Sequence, residues 1–281
     1  MRTIVFTGDD FGFSSGVNRA IIEAHERGIL TRASLMVTGG AFEEAVKLTR
    51  AHPQLSVGLH LVLAGGRSVL PPSEIPHLVD RAGYFPPSSV RAGLRYQFDG
   101  RTRRELRAEI CAQLERFQST GLRFSHLDGH LHMHMHPAVI RLLAEVTGEF
   151  NLKEVRLPSE ELRIALRLDR TNALAKIVCA LLFEGLRSYG KRCLAPVGIR
   201  YADRVYGLLT SGRMTEECLL RLIPQIRSDR VEIYSHPALE IEGESLNGPP
   251  GSGPMELAAL VSEKIRRALV SNGFSVAMEL P

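Results

Sequence analysis

Short runs rich in β-branched and aromatic residues alternate with helix-periodic stretches along almost the whole chain. That alternation limits the fold more than any other feature of the sequence. The strand-like runs are Thr3–Thr7, Ser34–Thr38, Ser56–Val62, Ser125–His130, Glu154–Leu157, Val197–Arg200, Val231–Ser235 and Ser275–Glu279. Helical spacing of apolar residues predicts helices over Val17–Arg27, Phe42–Ala51, Thr102–Ser119, Pro137–Thr147, Glu216–Ile226 and Met255–Asn272. Strand followed by helix, repeated this often, predicts parallel strands joined by crossovers. The expected fold class is therefore α/β: a (β/α) TIM-like barrel, distorted if need be, of seven or eight strands. An open doubly wound sheet ranks second, because no glycine-rich phosphate fingerprint follows the first strand.

Two segments interrupt the pattern. Leu70–Gly100 is proline-rich, with Pro71-Pro72 and Pro86-Pro87, and reads as a long loop at one mouth of the barrel. Ser159–Arg192 reads as a helical insertion carrying Arg163, Arg167, Arg170, Lys176, Arg187, Lys191 and Arg192 around the apolar run IVCALLF. One domain over 1–281, with the insertion at about 159–192, accounts for the chain without internal repeats.

Composition removes several function classes. With 281 residues, 44% hydrophobic and 23% charged, the chain is neither disordered nor a disulfide scaffold. A formal charge of +4, spread along the sequence, gives no reason to expect a nucleic-acid partner. Cys111, Cys179, Cys193 and Cys218 lack metal or redox spacing and read as reduced thiols. Two acids near the N-terminus and the lack of a long apolar stretch lead us to expect a soluble, cytoplasmic protein.

In (β/α) barrels the chemistry gathers at the C-terminal ends of the strands. Here those ends carry Asp9-Asp10, His60, and the run His126–His136 with Asp128, His130 and His132. A carboxylate with two imidazoles makes a three-ligand metal set that keeps one position open. Strand neighbours point to opposite faces, so of Asp9 and Asp10 one suits a ligand and the other a general base. His130 is the favoured ligand of its run, with His132 competing and Asp128 orienting an imidazole; His134 and His136 line the pocket or cap the next helix. His236, at the end of VEIYSHP, suits a general acid. Arg156 either binds a substrate oxygen or steadies a catalytic carboxylate, and a structural salt bridge is the plain alternative.

These residues resemble a known family, the YdjC-like (ChbG-type) carbohydrate deacetylases. The likeness lies in TGDDFG at Thr7–Gly12, GLHL at Gly58–Leu61, HLDGHLHMH at His126–His134, RLP at Arg156–Pro158 and SHP at Ser235–Pro237. Ala202–Gly212 (ADRVYGLLTSG) is similar to the hopanoid-biosynthesis-associated branch. The resemblance implies a TIM-like barrel and a divalent ion (Zn or Mg, with Mn or Co also acceptable) held by Asp10, His60 and His130. It also implies Asp9 as base, His236 as acid, and N-deacetylation of an amino sugar, with an N-acetylglucosaminyl glycolipid as substrate. One departure is Gly129, where the family usually has serine.

Other readings are a metal-dependent phosphoesterase or amidohydrolase, and a non-catalytic metal-binding protein using the histidine run. A glycolipid substrate implies peripheral contact with the inner membrane face, for which the basic insertion is the candidate. A core or dimer-forming helix pair is the preferred reading of that insertion from sequence alone, which makes a homodimer an expectation too.

Overall fold

The computed structural model describes residues 2–98, 100–245 and 248–280. Met1, Leu246, Asn247 and Pro281 of the expected domain, and Asp99 of the expected Leu70–Gly100 loop, lie outside them. Among the described residues seven strands form, all parallel: β1 (Arg2–Phe11), β2 (Arg32–Leu35), β3 (Ser56–Leu61), β4 (Leu127–Gly129), β5 (Arg204–Tyr206), β6 (Arg230–Ser235) and β7 (Phe274–Val276). Their order is β4-β3-β2-β1-β6-β5. β1 is long enough to pair β7 near its start, through Arg2–Ile4, and β2 near its end, through Thr7–Phe11.

The sheet curls into a half-barrel. Its two edges meet the segment 154–159 through isolated bridges, Leu127 with Val155 and Ser159 with Val205, and not through continuous ladders. The expected strand Glu154–Leu157 is reduced to those contacts. The expected strand at Val197–Arg200 does not form: Pro196 opens a 3-10 turn at Ala195–Val197, Gly198 adopts φ 74°, and Arg200 makes a single bridge to Glu154. Proline cannot donate to a ladder, so the strand is displaced to Arg204–Tyr206.

Ten helices accompany the strands among the described residues: α1 (Ser15–Arg27), α2 (Phe42–Ala51), α3 (Ser89–Phe98), α4 (Gly100–Ser119), α5 (Pro137–Phe150), α6 (Leu162–Leu168), α7 (Ala173–Leu194), α8 (Glu216–Leu222), α9 (Ser252–Leu260) and α10 (Glu263–Ser271). Hydroxyl caps open several of them. Ser14 accepts the amide of Val17, Thr215 that of Cys218, and Ser262 that of Lys264. The Ser262 cap divides the expected helix Met255–Asn272 in two. The expected loop Leu70–Gly100 holds α3, and the insertion is the helical hairpin α6–α7.

Period-2 alternation sorts the strands into two faces. Ile4, Phe6, Ala33, Leu35, Val57, Leu59, Leu61, Val231 and Ile233 share one large core with helix residues such as Ile21, Val46, Leu114, Val139, Leu219 and Leu269. Burying a side chain the size of Leu59 or Phe6 contributes about 2 kcal/mol. The alternate residues Thr7, Asp9, Arg32, Ser34, His60, Asp128 and Glu232 meet on the concave side together with Glu154 and Arg156. Val5, Ala202, Val205, Tyr234 and Leu280 form a small separate apolar cluster. The interior of the half-barrel is thus a polar stack, and its upper end is the candidate site.

Candidate active site

β1 ends in an irregularity that separates its two acids. Its register with β2 shifts between Gly8 and Phe11, and Asp10 takes φ 62°, a left-handed conformation that Asp tolerates better than most residues. Asp9 turns to Arg156, which donates to both carboxylate oxygens at 2.7 and 2.9 Å. Asp10 faces the imidazoles instead: its Oδ1 lies 2.9 Å from His130 Nδ1 and 3.2 Å from His60 Nε2.

His60 is aimed by β4. At the same level of the β3–β4 ladder, Asp128 Oδ1 sits 2.7 Å from His60 Nδ1, which leaves Nε2 towards Asp10. Ser34 donates to Asp128 Oδ2 at 2.6 Å, and Arg156 lies 2.7 Å from the same oxygen. Gly58 lets the two strands approach, because a Cβ there would stand 2.3 Å from the carbonyl oxygen of His126.

Two left-handed residues, Leu131 (φ 50°) and His132 (φ 55°), part the competing histidines within the turn His130–Met135. Such conformations cost about 1 kcal/mol or more each and are retained where the surroundings hold them. They direct His130 to Asp10, whereas His132 Nε2 lies 2.9 Å from the Tyr234 hydroxyl. His134 turns inward and donates from Nε2 to the Arg156 carbonyl at 3.0 Å, and His136 caps α5 by accepting from Ala138 N. A Cβ at Gly129 would stand 2.9 Å from Leu61 O and 3.0 Å from His134 Nδ1, so a serine has no room beside this His134.

Arg156 is the hub beneath the acids. It is fully buried, donates from Nε to Glu232 Oε1 at 3.0 Å, and lies 4.5 Å above the centre of the Tyr234 ring. Thr7 donates to the same Glu232 oxygen at 2.8 Å. Its contacts are ion pairs with Asp9, Asp128 and Glu232, which both the steadying of a carboxylate and a structural salt bridge would give. His236 follows β6; its backbone N–H donates to Glu256 Oε2 at 2.6 Å, and its ring lies 5.9 Å from Tyr234.

Together these elements wall a cavity of about 240 Å³ lined by Asp9, Asp10, His60, His130, His132 and His236, with Leu131, Leu208, Ser211, Pro249 and Ser252. The expected residues Asp9, Asp10, His60, His130, His132 and His236 are brought together there, and Asp128 and Arg156 lie behind them. Sequence reasoning missed Glu232, Tyr234, Ser34 and Glu256. The available signal was period 2: in VEIYS, Glu232 and Tyr234 stand two apart on the face opposite Val231 and Ile233.

The acids around His60 favour positive charge on its ring. Burial opposes charge on His60, but Asp128, Asp10 and Asp9 outweigh it and push its pKa up to about 10. Burial likewise works against the charge on Asp10, yet the neighbouring His130 and His60 hold its carboxyl well below the usual range. Burial, with Arg32 as the next cause, brings His126 down to about 3. Burial also brings His134 down to about 4, and both stay neutral. Asp10, His60 and His130 each offer one ligand atom, all within 4.8 Å of one another. The donor edges of 2.9 and 3.2 Å compare with about 3.3 Å between ligands in tetrahedral zinc. A second grouping, Asp9, His60 and Asp128, is equally compact, but Arg156 already occupies both of its acids. The residues present therefore fit a divalent ion at Asp10, His60 and His130.

Residues 3–271 match the profile of the family described as YdjC-like protein. The chain belongs to the YdjC-like family. Among its relatives, the carbohydrate deacetylase of Geobacillus stearothermophilus is 40% identical over 164 residues, 58% of this chain and 61% of that protein. That match thus spans about three-fifths of the relative's length. A carbohydrate deacetylase of Vibrio campbellii is 28% identical over 276 residues, covering 97% of this chain and 93% of its own. In fold, the YdjC-like chain is similar to a crystal structure from Enterococcus faecalis named for a conjectured cellobiose-phosphate cleavage. The TM-score is 0.75 at 23% identity, covering 98% of this chain and 97% of that one. No described helix is long and apolar enough to cross a membrane.

Proposed function

We propose that the chain is a divalent-metal-dependent carbohydrate deacetylase that hydrolyses the acetamide of an N-acetylated amino sugar. The observation that carries this reading is the convergence of Asp10, His60 and His130 beside an independently held acid, Asp9, in one cavity with His236. The names of the deacetylase relatives support the substrate class.

Asp10, His60 and His130 would hold the ion, and two imidazoles with one carboxylate suit Zn²⁺ while allowing Mg²⁺, Mn²⁺ or Co²⁺. When bound, it supplies Lewis acidity to the acetyl carbonyl and to water. Asp9 accepts a proton from the attacking water, held in place by the two-pronged contact of Arg156. Water oxygen bonds to the acetyl carbon, the C–N bond breaks, and His236 gives the departing nitrogen its proton. Acetate and a free amino sugar leave. Asp128 fixes the ring of His60 throughout.

For the acceptor, an N-acetylglucosaminyl glycolipid of hopanoid biosynthesis is the finer reading. It rests on the resemblance of Ala202–Gly212, and Leu208 of that stretch lines the cavity beside Leu131 and Pro249, an apolar wall suited to a lipid-linked sugar. The test is acetate and amine release from a panel of N-acetylated sugars and glycolipids, after chelation and reloading with each metal. Release that depends on metal and falls about 10²- to 10⁴-fold in Asp9→Asn is expected. No release from any member with any metal contradicts the proposal.

A further inference from the structure

A helix that packs behind the candidate site has an apolar surface on its outward side. On α7, Phe183 packs its ring 5.6 Å from that of His132, a residue of the cavity lining. The outward residues Leu174, Val178, Leu181 and Leu182 are 75%, 59%, 69% and 57% exposed. Their spacing places all four on one helical face. From Ala173 to Phe183 the one charged residue is Lys176, which is buried and turned back to Asp169 at 2.7 Å. Single exposed leucines are ordinary, but a helical face of four with no charge among them is not.

Three arginines border this face at its start. Arg163, Arg167, Arg170, Leu166 and Ala173 line a shallow cavity of about 520 Å³ between α6 and the first turn of α7. Arg163 and Arg170 have no acidic partner among the described residues, and Arg167 reaches the neutral Gln225 at 3.4 Å. We propose that the outward face of the α6–α7 hairpin is a docking surface for an anionic lipid bilayer. Such a surface offers what this one lacks: apolar chains at the acyl boundary for the leucines and phosphates for the guanidinium groups.

The docking face adjoins the active site through a trough as well as through Phe183. Lys176 and Cys179 of α7 line a depression that also contains Leu208 and Ser211, and those two residues line the catalytic cavity too. Docking would therefore bring the cavity close to the lipid surface. The docking itself does not depend on the deacetylase reading, and its test reads lipid binding alone.

The full-length protein is floated with vesicles of phosphatidylglycerol and phosphatidylcholine, and with pure phosphatidylcholine vesicles. We expect flotation with the anionic vesicles, weakened about fivefold for each arginine removed in the series Arg163→Gln, Arg167→Gln and Arg170→Gln. Leu174→Ser/Leu181→Ser should also lose flotation, with an unchanged melting temperature because both side chains are exposed. Three results overturn the proposal. One is no flotation of the parent protein with anionic vesicles. Another is flotation that neither set of substitutions alters. The third is a concentration-dependent dimer that Leu174→Ser/Leu181→Ser dissociates, which would assign the face to a second copy.

Discussion

His60 places its Nδ1 2.7 Å from Asp128 Oδ1, and this contact determines which nitrogen faces the cavity. With Nδ1–H given to Asp128, Nε2 is the ring atom that faces Asp10 and would exchange its proton for a metal ion. In Asp128→Asn the amide removes that preference and leaves Arg156 with one anion fewer. Titration calorimetry with Zn²⁺ should show affinity reduced about 10- to 100-fold. Unchanged affinity would mean that Asp128 serves Arg156 alone.

Arg156 balances Asp9, Asp128 and Glu232 in the buried interior of the half-barrel. Its removal leaves buried acids without their cation. Arg156→Met should destabilise the fold by about 3–5 kcal/mol in urea unfolding. Arg156→Lys should keep more of that stability, yet lose turnover, because an ammonium cannot hold both oxygens of Asp9.

Asp9→Asn separates catalysis from metal capture. Asp9 faces Arg156 while Asp10 faces the imidazoles, so the variant should still bind one equivalent of metal. Its kcat should fall about 10²- to 10⁴-fold, the usual worth of a positioned base. Loss of metal along with activity would instead place Asp9 among the ligands.

Glu160 provides a pH test away from the proposed metal ligands. Its carboxylate accepts the amides of Gly207, Leu208 and Leu209, the last at 3.1 Å, and so fixes a loop that reaches the cavity at Leu208. Burial is the largest influence and, despite those donors, pushes the acid up to about 7. A carboxyl whose pKa is higher folded than unfolded favours folding fully below pH about 4.5 and loses that contribution as pH rises through about 7. Glu160→Gln keeps an acceptor without the charge. Between pH 5 and pH 8, the parent protein should lose about 2 kcal/mol more stability than the variant in parallel denaturation series.

Much of this site was legible in the sequence because strand ends and period 2 are local properties. Asp9-Asp10 after TIVFTG, His60 within VGLHLVL, and Asp128 with His130 could be placed at one rim from spacing alone. Which of His130 and His132 faces Asp10 could not be read that way, since it depends on left-handed backbone at Leu131 and His132 that their side chains do not announce. Glu232 was overlooked because an acid within an apolar strand acquires meaning only when Arg156 lies opposite. Glu256 was out of reach for a similar reason: α9 brings it to the backbone of His236 and of Met214 through tertiary packing. The displaced strand at Arg204–Tyr206 shows a competition among local signals, in which Pro196 and Gly198 outweighed an apolar run.

The most direct test of the central claim is an anomalous difference map from crystals of this protein grown with Zn²⁺ and measured at the zinc edge. A single peak bonded to Asp10, His60 and His130, with Asp9 still paired to Arg156, is the predicted result. A peak bonded to Asp9 and Asp128 with Arg156 displaced, or no peak near these side chains, would contradict it.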